Sequence, residues 1–435
     1  MNKAYEQYKD IQENWLSQIP SHWQTAFLSS LFDEHKQKNS GMINTNLLSL
    51  SYGRIIKKDI NGKSGLLPES FETYNVIDPD DIVLRLTDLQ NDHKSLRTGL
   101  SHEKGIVTSA YVTLRRRSEK INAAYYRYYL HVFDLHKGFY GMGNGVRQSL
   151  SFDGIRKLTL IIPPDDEQVK IVKYLDYRLS QVDKLIRCNK EKINLLVENF
   201  NCRFFDVKNN SVQRIKIKYL VKLHKDFIEP APKKYYKKAG MYNRGRGIFS
   251  RDPMLGEDLG TSSFQWIREN CVLISGQFGW EGATYITTID DTDSLISHRY
   301  YLLEVISPLI TPEYLWGYLM SDEGVMKLNL CSHGAAGRNK PLNIGELLNV
   351  EIPIPNDPMQ INEIRDSAQL IIAYRKIDKK QTELLEEYKA SLISDVVTGK
   401  IDIRNFEIPE YEFVDEEEDS ETDNDSEKTE EEQED

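Results

Sequence analysis

The chain has 435 residues, more than one compact domain normally holds, and its 40% hydrophobic and 28% charged side chains exclude wholesale disorder. No apolar run approaches the roughly 18–20 residues of a membrane span, and the opening MNKAYEQYKD is too polar for a secretory signal. The net charge of −11 conceals a division: residues 405–435 carry 17 acidic side chains and one lysine, which leaves the rest of the chain at about +5.

In chain order, the first section, Phe27–Leu160, mixes short β-rich runs such as IVTSAYVTLRR from Ile106 with polar turns and a short helix near Tyr125. This is an α+β pattern with loops projecting from a sheet. A strand-like run from Asp81, DIVLRLTDLQND, ends in a polar loop, where Arg85, Asp88 and Gln90 are candidate contacts. Nearby, Arg54, Lys57, Lys58 and Lys63 form a cationic cluster diluted by Asp59.

Behind the Pro163-Pro164 break the pattern changes. Val172, Leu175, Leu179, Val182, Ile186, Asn189, Ile193, Leu196 and Phe200 alternate steps of three and four, the spacing of a coiled-coil seam. The section that follows, Lys216–Ile352, returns to α+β character, with SHRYYLLEV from Ser297 and CVLISGQFGWEG from Cys271. The latter closes in a loop bearing Gln277 and Trp280. A second helical stripe, Leu370, Tyr374, Ile377, Gln381, Leu384 and Tyr388, keeps the same step, so the two helices are expected to pair. The acidic stretch 405–435 buries too little apolar surface to fold and is expected to be disordered.

The chain repeats itself. GVRQSLSFDGIRKLTLIIPPDDEQ from Gly145 and GRNKPLNIGELLNVEIPIPNDPMQ from Gly337 align at an offset of 192 residues. Upstream, at an offset of 189, Tyr125, Tyr129 and Leu130 meet Tyr314, Tyr318 and Leu319. Two copies of one plan are expected, each an α+β section followed by a long helix.

A search for chemistry finds no catalytic constellation. Asn61-Gly62-Lys63-Ser64 resembles the end of a P-loop, but the required first glycine falls at Lys57. GMGNG at Gly141–Gly145 lacks dinucleotide spacing, and no (N/D)PP(Y/F) tetrapeptide of amino-methyltransferases occurs. The nine histidines form no HExxH, and Cys188, Cys202, Cys271 and Cys331 form no CxxC. No metal site or disulfide framework is therefore expected, and a reducing cytoplasm is the default.

The prominent feature is basic and aromatic. Lys233–Arg251 carries Lys233, Lys234, Lys237, Lys238, Arg244, Arg246 and Arg251 with Tyr235, Tyr236 and Tyr242 and no acid, and its glycines make Arg244–Arg246 flexible. Clustered cations neutralise phosphates, and arginine also pairs with guanine edges. A charge run is most often only a solvated face, and that reading stands beside the DNA one for both clusters.

These residues resemble a known family, the specificity subunits of type I restriction-modification enzymes. YKDIQENWLSQIPSHW (Tyr8–Trp23) is similar to the family's N-terminal lead-in; VLRLTDLQND and LISGQFGWEGA resemble its loop-bearing segments. IPPDDEQVKIVKYLD (Ile162–Asp176) resembles the start of its central helix, and SDVVTGKIDIR (Ser394–Arg404) the end of its distal one. The resemblance implies a first target-recognition domain over residues 1–157, a central helix over 158–208, a second domain over 209–351 and a distal helix over 352–404, with the two helices in an antiparallel coiled coil. It further implies that each domain reads half of a bipartite, asymmetric site in double-stranded DNA. Two methyltransferase subunits and two motor-nuclease subunits are the implied partners. S-adenosylmethionine, ATP and magnesium would reside on those partners, and this chain would bind no cofactor. Two alternatives stay open at this point: a DNA-binding scaffold of another assembly, and a methyltransferase or nuclease with its own recognition domains.

Overall fold

The computed structural model describes residues 4–60, 68, 70–89, 96–140, 142, 149–209, 213–334 and 340–411. Contacts divide the chain into two units, one made of Met1–Ile186 with Gln381–Glu416, the other of Arg187–Lys380. Each unit takes one α/β section and part of both long helices.

In the first unit a hairpin of β1 (Tyr8–Glu13) and β2 (Leu16–Pro20) precedes β3 (Gln24–Phe27), β4 (Phe32–Glu34) and β5 (Gln37–Lys38). A second hairpin joins β6 (Leu48–Ser51) to β7 (Arg54–Lys57). Then come β8 (Asn75–Ile77), β9 (Ile82–Leu84), β10 (Thr98–Leu100), β11 (Gly105–Val107) and β12 (Val112–Arg116). Helix α1 (Ala123–Leu135), β13 (Thr159–Ile162) and helix α2 (Asp165–Asn209) complete the order.

An antiparallel sheet runs β10-β9-β12-β4, with Ile82 opposite Leu114 and Leu84 opposite Val112. Alternation along β9 serves two cores at once. Ile82 and Leu84 pack with Tyr125, Tyr126 and Phe133 of α1, whereas Val83 packs with Leu48, Ile77 and Val107. That is why β9 reads as an unbroken apolar run. Helix α1 starts at Asn122, whose Oδ1 accepts the Tyr125 N–H at 3.1 Å.

The second unit contains β14 (Gln213–Lys216), β15 (Val221–His224), β16 (Tyr235–Tyr242), β17 (Gly247–Ser250), β18 (Met254–Leu255) and β19 (Phe264–Trp266). These are followed by β20 (Cys271–Ser275), β21 (Thr284–Ile286), β22 (Ser294–Ser297) and β23 (Tyr300–Val305). Helices α3 (Pro312–Met320) and α4 (Asp322–Leu330), strand β24 (Glu351–Ile354) and helix α5 (Pro358–Val397) end it.

The duplication seen in the sequence is a duplication of sheet order. The antiparallel sheet β15-β23-β20-β21 of the second unit matches β4-β12-β9-β10 of the first, and the β14–β24 ladder matches β3–β13. In each unit a helix tyrosine bonds the adjoining strand, though from non-equivalent positions: Tyr129 of α1 donates to the Thr159 carbonyl of β13, and Tyr314 of α3 to the Pro353 carbonyl of β24, both at 2.8 Å. A further sheet, β17-β16-β22-β19, joins β16 to β22 in parallel. The fold is therefore mixed α/β with two sheet-rich units and two long helices.

Those helices run antiparallel. In the first unit the start of α2 lies by the end of α5: Lys170 reaches the Arg404 carbonyl, Arg178 donates to Tyr388 Oη at 2.6 Å, and Lys389 pairs with Asp183 at 2.8 Å. In the second unit the Lys192 ammonium sits 4.3 Å from the Tyr374 ring. On α2, Leu175, Val182 and Phe200 are buried, and Val172, Leu179, Ile186, Asn189, Ile193 and Leu196 are half-buried.

The stripe expected on α5 needs a correction. Leu370, Ile377 and Leu384 are 45%, 51% and 55% exposed, Gln381 is exposed, and Tyr374 is half-buried. The less exposed stripe lies close by: Ile364, Ala368, Ile371, Arg375, Asp378, Thr382, Leu385, Lys389, Leu392 and Val396. From Ile371 to Lys389 it is the expected stripe displaced by one residue. Arg375 and Lys389 of this stripe pair with groups on neighbouring elements, so between Ile371 and Lys389 the less exposed side of α5 is also the less apolar one.

Residues just past Arg404 still belong to the packed structure. Phe406 meets Tyr174 edge-on at 4.7 Å, Tyr411 meets Tyr177 at 5.4 Å, and Ile408 packs on the first core. The rest of the acidic stretch, 412–435, lies outside the described residues, as do Gly145 and Gly337 of the repeat. Among the described residues no helix is long and apolar enough to cross a membrane.

Candidate nucleic-acid interface

Strand geometry decides how the basic run of the second unit is displayed. Tyr235–Tyr242 forms β16, so successive side chains face opposite sides. The cations consequently form separate groups rather than one patch. Lys233 and Lys234 occupy the exposed turn before the strand, beside Tyr235, which is 66% exposed. The Lys234 ammonium lies 5.3 Å from the Tyr236 ring and 5.9 Å from the Trp266 ring. Lys237 pairs with Asp293 at 2.5 Å, whereas Lys238 lies half-buried with its ammonium 5.8 Å from the Phe264 ring. The Arg251 N–H donates to the Lys238 carbonyl at 2.8 Å.

At the far end of β16 the turn carrying Arg244 and Arg246 is anchored, not flexible as its glycines suggested. The Arg244 N–H donates to Glu281 O at 3.2 Å, the Gly245 N–H to Gly282 O at 2.9 Å, and Arg375 of α5 donates to the Gly245 carbonyl. Arg244 and Gly245 both have positive φ, 55° and 62°, and a Cβ on Gly245 would stand 2.9 Å from Met320 Sδ. Gly245 is there for close approach to a helix. Tyr242 packs on Phe249 at 4.8 Å and lies 5.7 Å from the Arg246 guanidinium. The turn after β20 holds Gln277 and Trp280, whose Nε1–H donates to the Gln277 carbonyl at 3.1 Å, with the Lys340 ammonium 5.0 Å from the indole.

In the first unit Arg54, Lys57 and Lys58 are exposed on and just after β7, with Lys57 paired to Glu103 at 3.0 Å. Lys63 and Gln90 lie outside the described residues. Arg85 and Asp88 are half-buried in the loop after β9, and Asp88 adopts a φ of 56°. What holds that loop is a residue the sequence reading missed. Arg97, fully buried, directs its guanidinium at the carbonyls of Arg85 (3.1 Å), Thr87 (2.9 Å) and Asp88 (3.4 Å), and its backbone N–H donates to Asp134 Oδ2 at 3.0 Å. No local sequence signal marks such a staple, because its partners are backbone atoms.

One grouping has the residue types of a metal site: ligand atoms of His35, Asp78 and Asp81 lie within 4.8 Å of one another. Arg115 occupies the same carboxylates, at 2.6 Å from Asp81 Oδ2 and 2.7 Å from Asp78 Oδ2. Against the opposing effect of burial, the hydrogen bonds and charges of Lys104 and Arg115 hold Asp78 below its usual carboxylate range, while burial and Arg115 push His35 below the usual imidazole value. The guanidinium already supplies the cation these acids need.

Residues 20–198 match the family described as the type I restriction modification DNA specificity domain. Among solved structures, a chain from work on complex assembly and conformational transition of the type I R-M system superposes with a TM-score of 0.51 at 14% identity, covering 88% of this chain and 99% of that one. The S subunit of a type I restriction-modification system from M. genitalium gives 0.43 at 12% identity, covering 93% and 99% of the two chains. The HsdS subunit from Thermoanaerobacter tengcongensis gives 0.39 at 13%, covering 88% and 98%. No curated protein matches. The first superposition establishes a shared fold, and the family match establishes DNA specificity as the business of the first unit, whose plan the second repeats.

Residues 20–198 therefore belong to the DNA specificity domains of type I restriction-modification systems. The chain as a whole shares its fold with a chain of such a system.

Proposed function

We propose that each unit reads one half of a bipartite, asymmetric site in double-stranded DNA, and that the two antiparallel helices link the readers. The observation that carries this reading is a shared frame with unlike surfaces. Sheet order and helix plan repeat, yet β22 has as its parallel partner the eight-residue β16 with Lys237 and Lys238, whereas β11 meets in parallel only the Leu47–Ile106 bridge beside the four-residue β6, which bears no cation. Base readout then depends on the groups described above, Lys233, Lys234, Tyr235, Lys238, Arg244, Arg246, Arg251, Gln277 and Trp280 in one unit and Arg54, Lys58, Arg85 and Asp88 in the other.

In this reading two methyltransferase subunits and two motor-nuclease subunits complete the assembly. S-adenosylmethionine belongs to the former, ATP and magnesium to the latter, and the present chain binds no cofactor. The assembly acts in the cytoplasm, methylating adenine or cleaving DNA according to the state of the site.

Replacing residues 209–351 with the matching domain of a homologous subunit tests the division of labour. Methylome sequencing of a strain carrying the exchanged chain should show one half-site changed and the other kept. A change in both half-sites would sink the proposal.

A further inference from the structure

The second unit holds a positively charged cleft where the chain changes sheets. Strand β22 lies in one sheet and β23 in the other, and the corner Ser297–Tyr300 connects them. Both sides of the corner are tied down. Ser297 pairs with Phe264 of β19, and the His298 N–H donates to Ser263 O at 2.8 Å. Tyr300 pairs with Ser275 of β20, and the Gly276 N–H donates to the Arg299 carbonyl at 2.6 Å. A Cβ on Gly276 would stand 2.5 Å from that carbonyl, so a glycine lets the two segments meet.

This corner lines a small cleft together with Lys238 and Ala239 of β16, Arg251 just beyond β17 and Ser262; from the corner itself come Ser297, Arg299 and Tyr300. Among the described residues its lining contains three cationic side chains, hydroxyls from two serines and a tyrosine, and no carboxylate, with Arg251 and Tyr300 each engaged in a further interaction. Lys238 and Arg299 brought together in this way create a potential that an anion relieves. Guanidinium forks and hydroxyls match the oxygens of a phosphate group in geometry and in donor count.

The comparison between the two copies argues that the fold does not need this charge. At the offset of 189, Thr108, Ser109, Ala110 and Tyr111 stand where the second unit has Ser297, His298, Arg299 and Tyr300. The first unit keeps the corner between β11 and β12 and keeps the tyrosine, but has alanine in place of the arginine.

We propose that the cleft of Lys238, Arg251 and Arg299 receives a backbone phosphate of the DNA and fixes the register of the second unit on its half-site. The assignment rests on the DNA-recognition reading above and adds Arg299, Ser262 and Ser297 to it. A contact of this kind positions the domain without reading a base. It gives the second unit an anchor that the first lacks at the equivalent place.

The test uses the full chain and a 40-base-pair duplex of arbitrary sequence, with fluorescence anisotropy from about 50 to 300 mM KCl. Arg299→Ala should weaken binding about 3- to 10-fold at low salt and reduce the slope of log K against log salt by roughly 0.9, the value for one lost phosphate contact. Arg299→Lys should restore most of both. Thermal melting of each variant separates loss of contact from loss of fold, and Arg299→Gln serves if alanine unfolds the corner. Wild-type chain that binds no duplex at any of these salts would overturn the DNA reading itself. Wild-type binding with Arg299→Ala and Lys238→Ala/Arg299→Ala unchanged in affinity and slope would overturn the cleft alone. Inorganic phosphate that protects the wild-type fold, combined with unchanged DNA binding by the variants, would assign the cleft to a free oxyanion and likewise overturn the proposal.

Discussion

Lys389 Nζ lies 2.8 Å from Asp183 Oδ1, with the two side chains only 16% and 19% exposed. The pair joins α5 to α2 in the first unit, and Glu386 adds a second carboxylate to the lysine at 3.1 Å. A charge left alone in so sheltered a place costs more than the pair contributes. Lys389→Ala or Asp183→Ala should therefore destabilise the chain by about 1–3 kcal/mol in a denaturant titration. Lys389→Met/Asp183→Leu should recover more than half of that loss, because neither charge then remains. Additive losses in the double variant would show that the pair does not couple.

The displaced stripe on α5 makes a sharper contrast. Ile371 is fully buried, whereas its neighbour Leu370 and Ile377 are about half exposed. Ile371→Ala should cost roughly 2–4 kcal/mol, and Leu370→Gln or Ile377→Gln less than about 1 kcal/mol. Equal losses at Ile371 and Leu370, read from the same unfolding curves, would restore the stripe expected from the sequence.

That contrast also shows what the sequence could and could not reveal. The helices, their pairing and the duplication are legible because heptad spacing and repeated tyrosines are local patterns, whereas the antiparallel sense of the pair came only from the family resemblance. Which side of α5 faces inward was not legible. Periodicity favours the more apolar stripe, and Arg375, Asp378 and Lys389 count against the true one until their partners are known: the Gly245 carbonyl for Arg375 and Asp183 for Lys389. The candidate site shows the same limit. Lys233–Arg251 stands out as a cationic run, but its division between the two faces of β16 follows from strand geometry. Arg97 and Arg299 do their work through backbone carbonyls and a sheet corner, which leave no local pattern.

Arg97 should matter beyond stability. Its guanidinium gathers three carbonyls of the Arg85–Asp88 loop, a geometry a lysine cannot reproduce. Arg97→Lys should release the loop, seen as faster amide exchange over residues 85–89, and should cost about 2–4 kcal/mol of stability. In the assembled enzyme, methylome sequencing should find the first half-site degraded and the second intact. An unaltered first half-site despite faster exchange would remove the loop from DNA recognition.

Acid sensitivity should carry a histidine signature. Burial, assisted by Arg127 and Lys389, lowers His131 from its ordinary value to about 4. The unfolded chain therefore takes up a proton near pH 6.5 that the folded chain refuses until about pH 4. Stability should fall as pH drops through that window. His131→Gln should flatten the decline in thermal midpoint between pH 6.5 and 4 without abolishing it, since burial lowers His35 and His136 as well. An identical slope in the variant would mean that His131 is protonated in the fold.

The acidic stretch bears on DNA binding through charge alone. Residues 405–435 hold 17 acidic side chains against a body of about +5, so a tail that approaches the cationic groups would compete with DNA phosphates for them. Where to cut is decided by packing: Phe406 and Tyr411 lie against Tyr174 and Tyr177, so removal after Arg404 would strip ring contacts together with the charge. Truncation after Tyr411 leaves those contacts in place. If the tail competes, the truncated chain should bind non-specific duplex several-fold more tightly near 50 mM salt. The gain should disappear above about 300 mM, where the Debye length shrinks to a few ångströms. Equal affinities with and without residues 412–435 across that range would reduce the stretch to a solubilising extension.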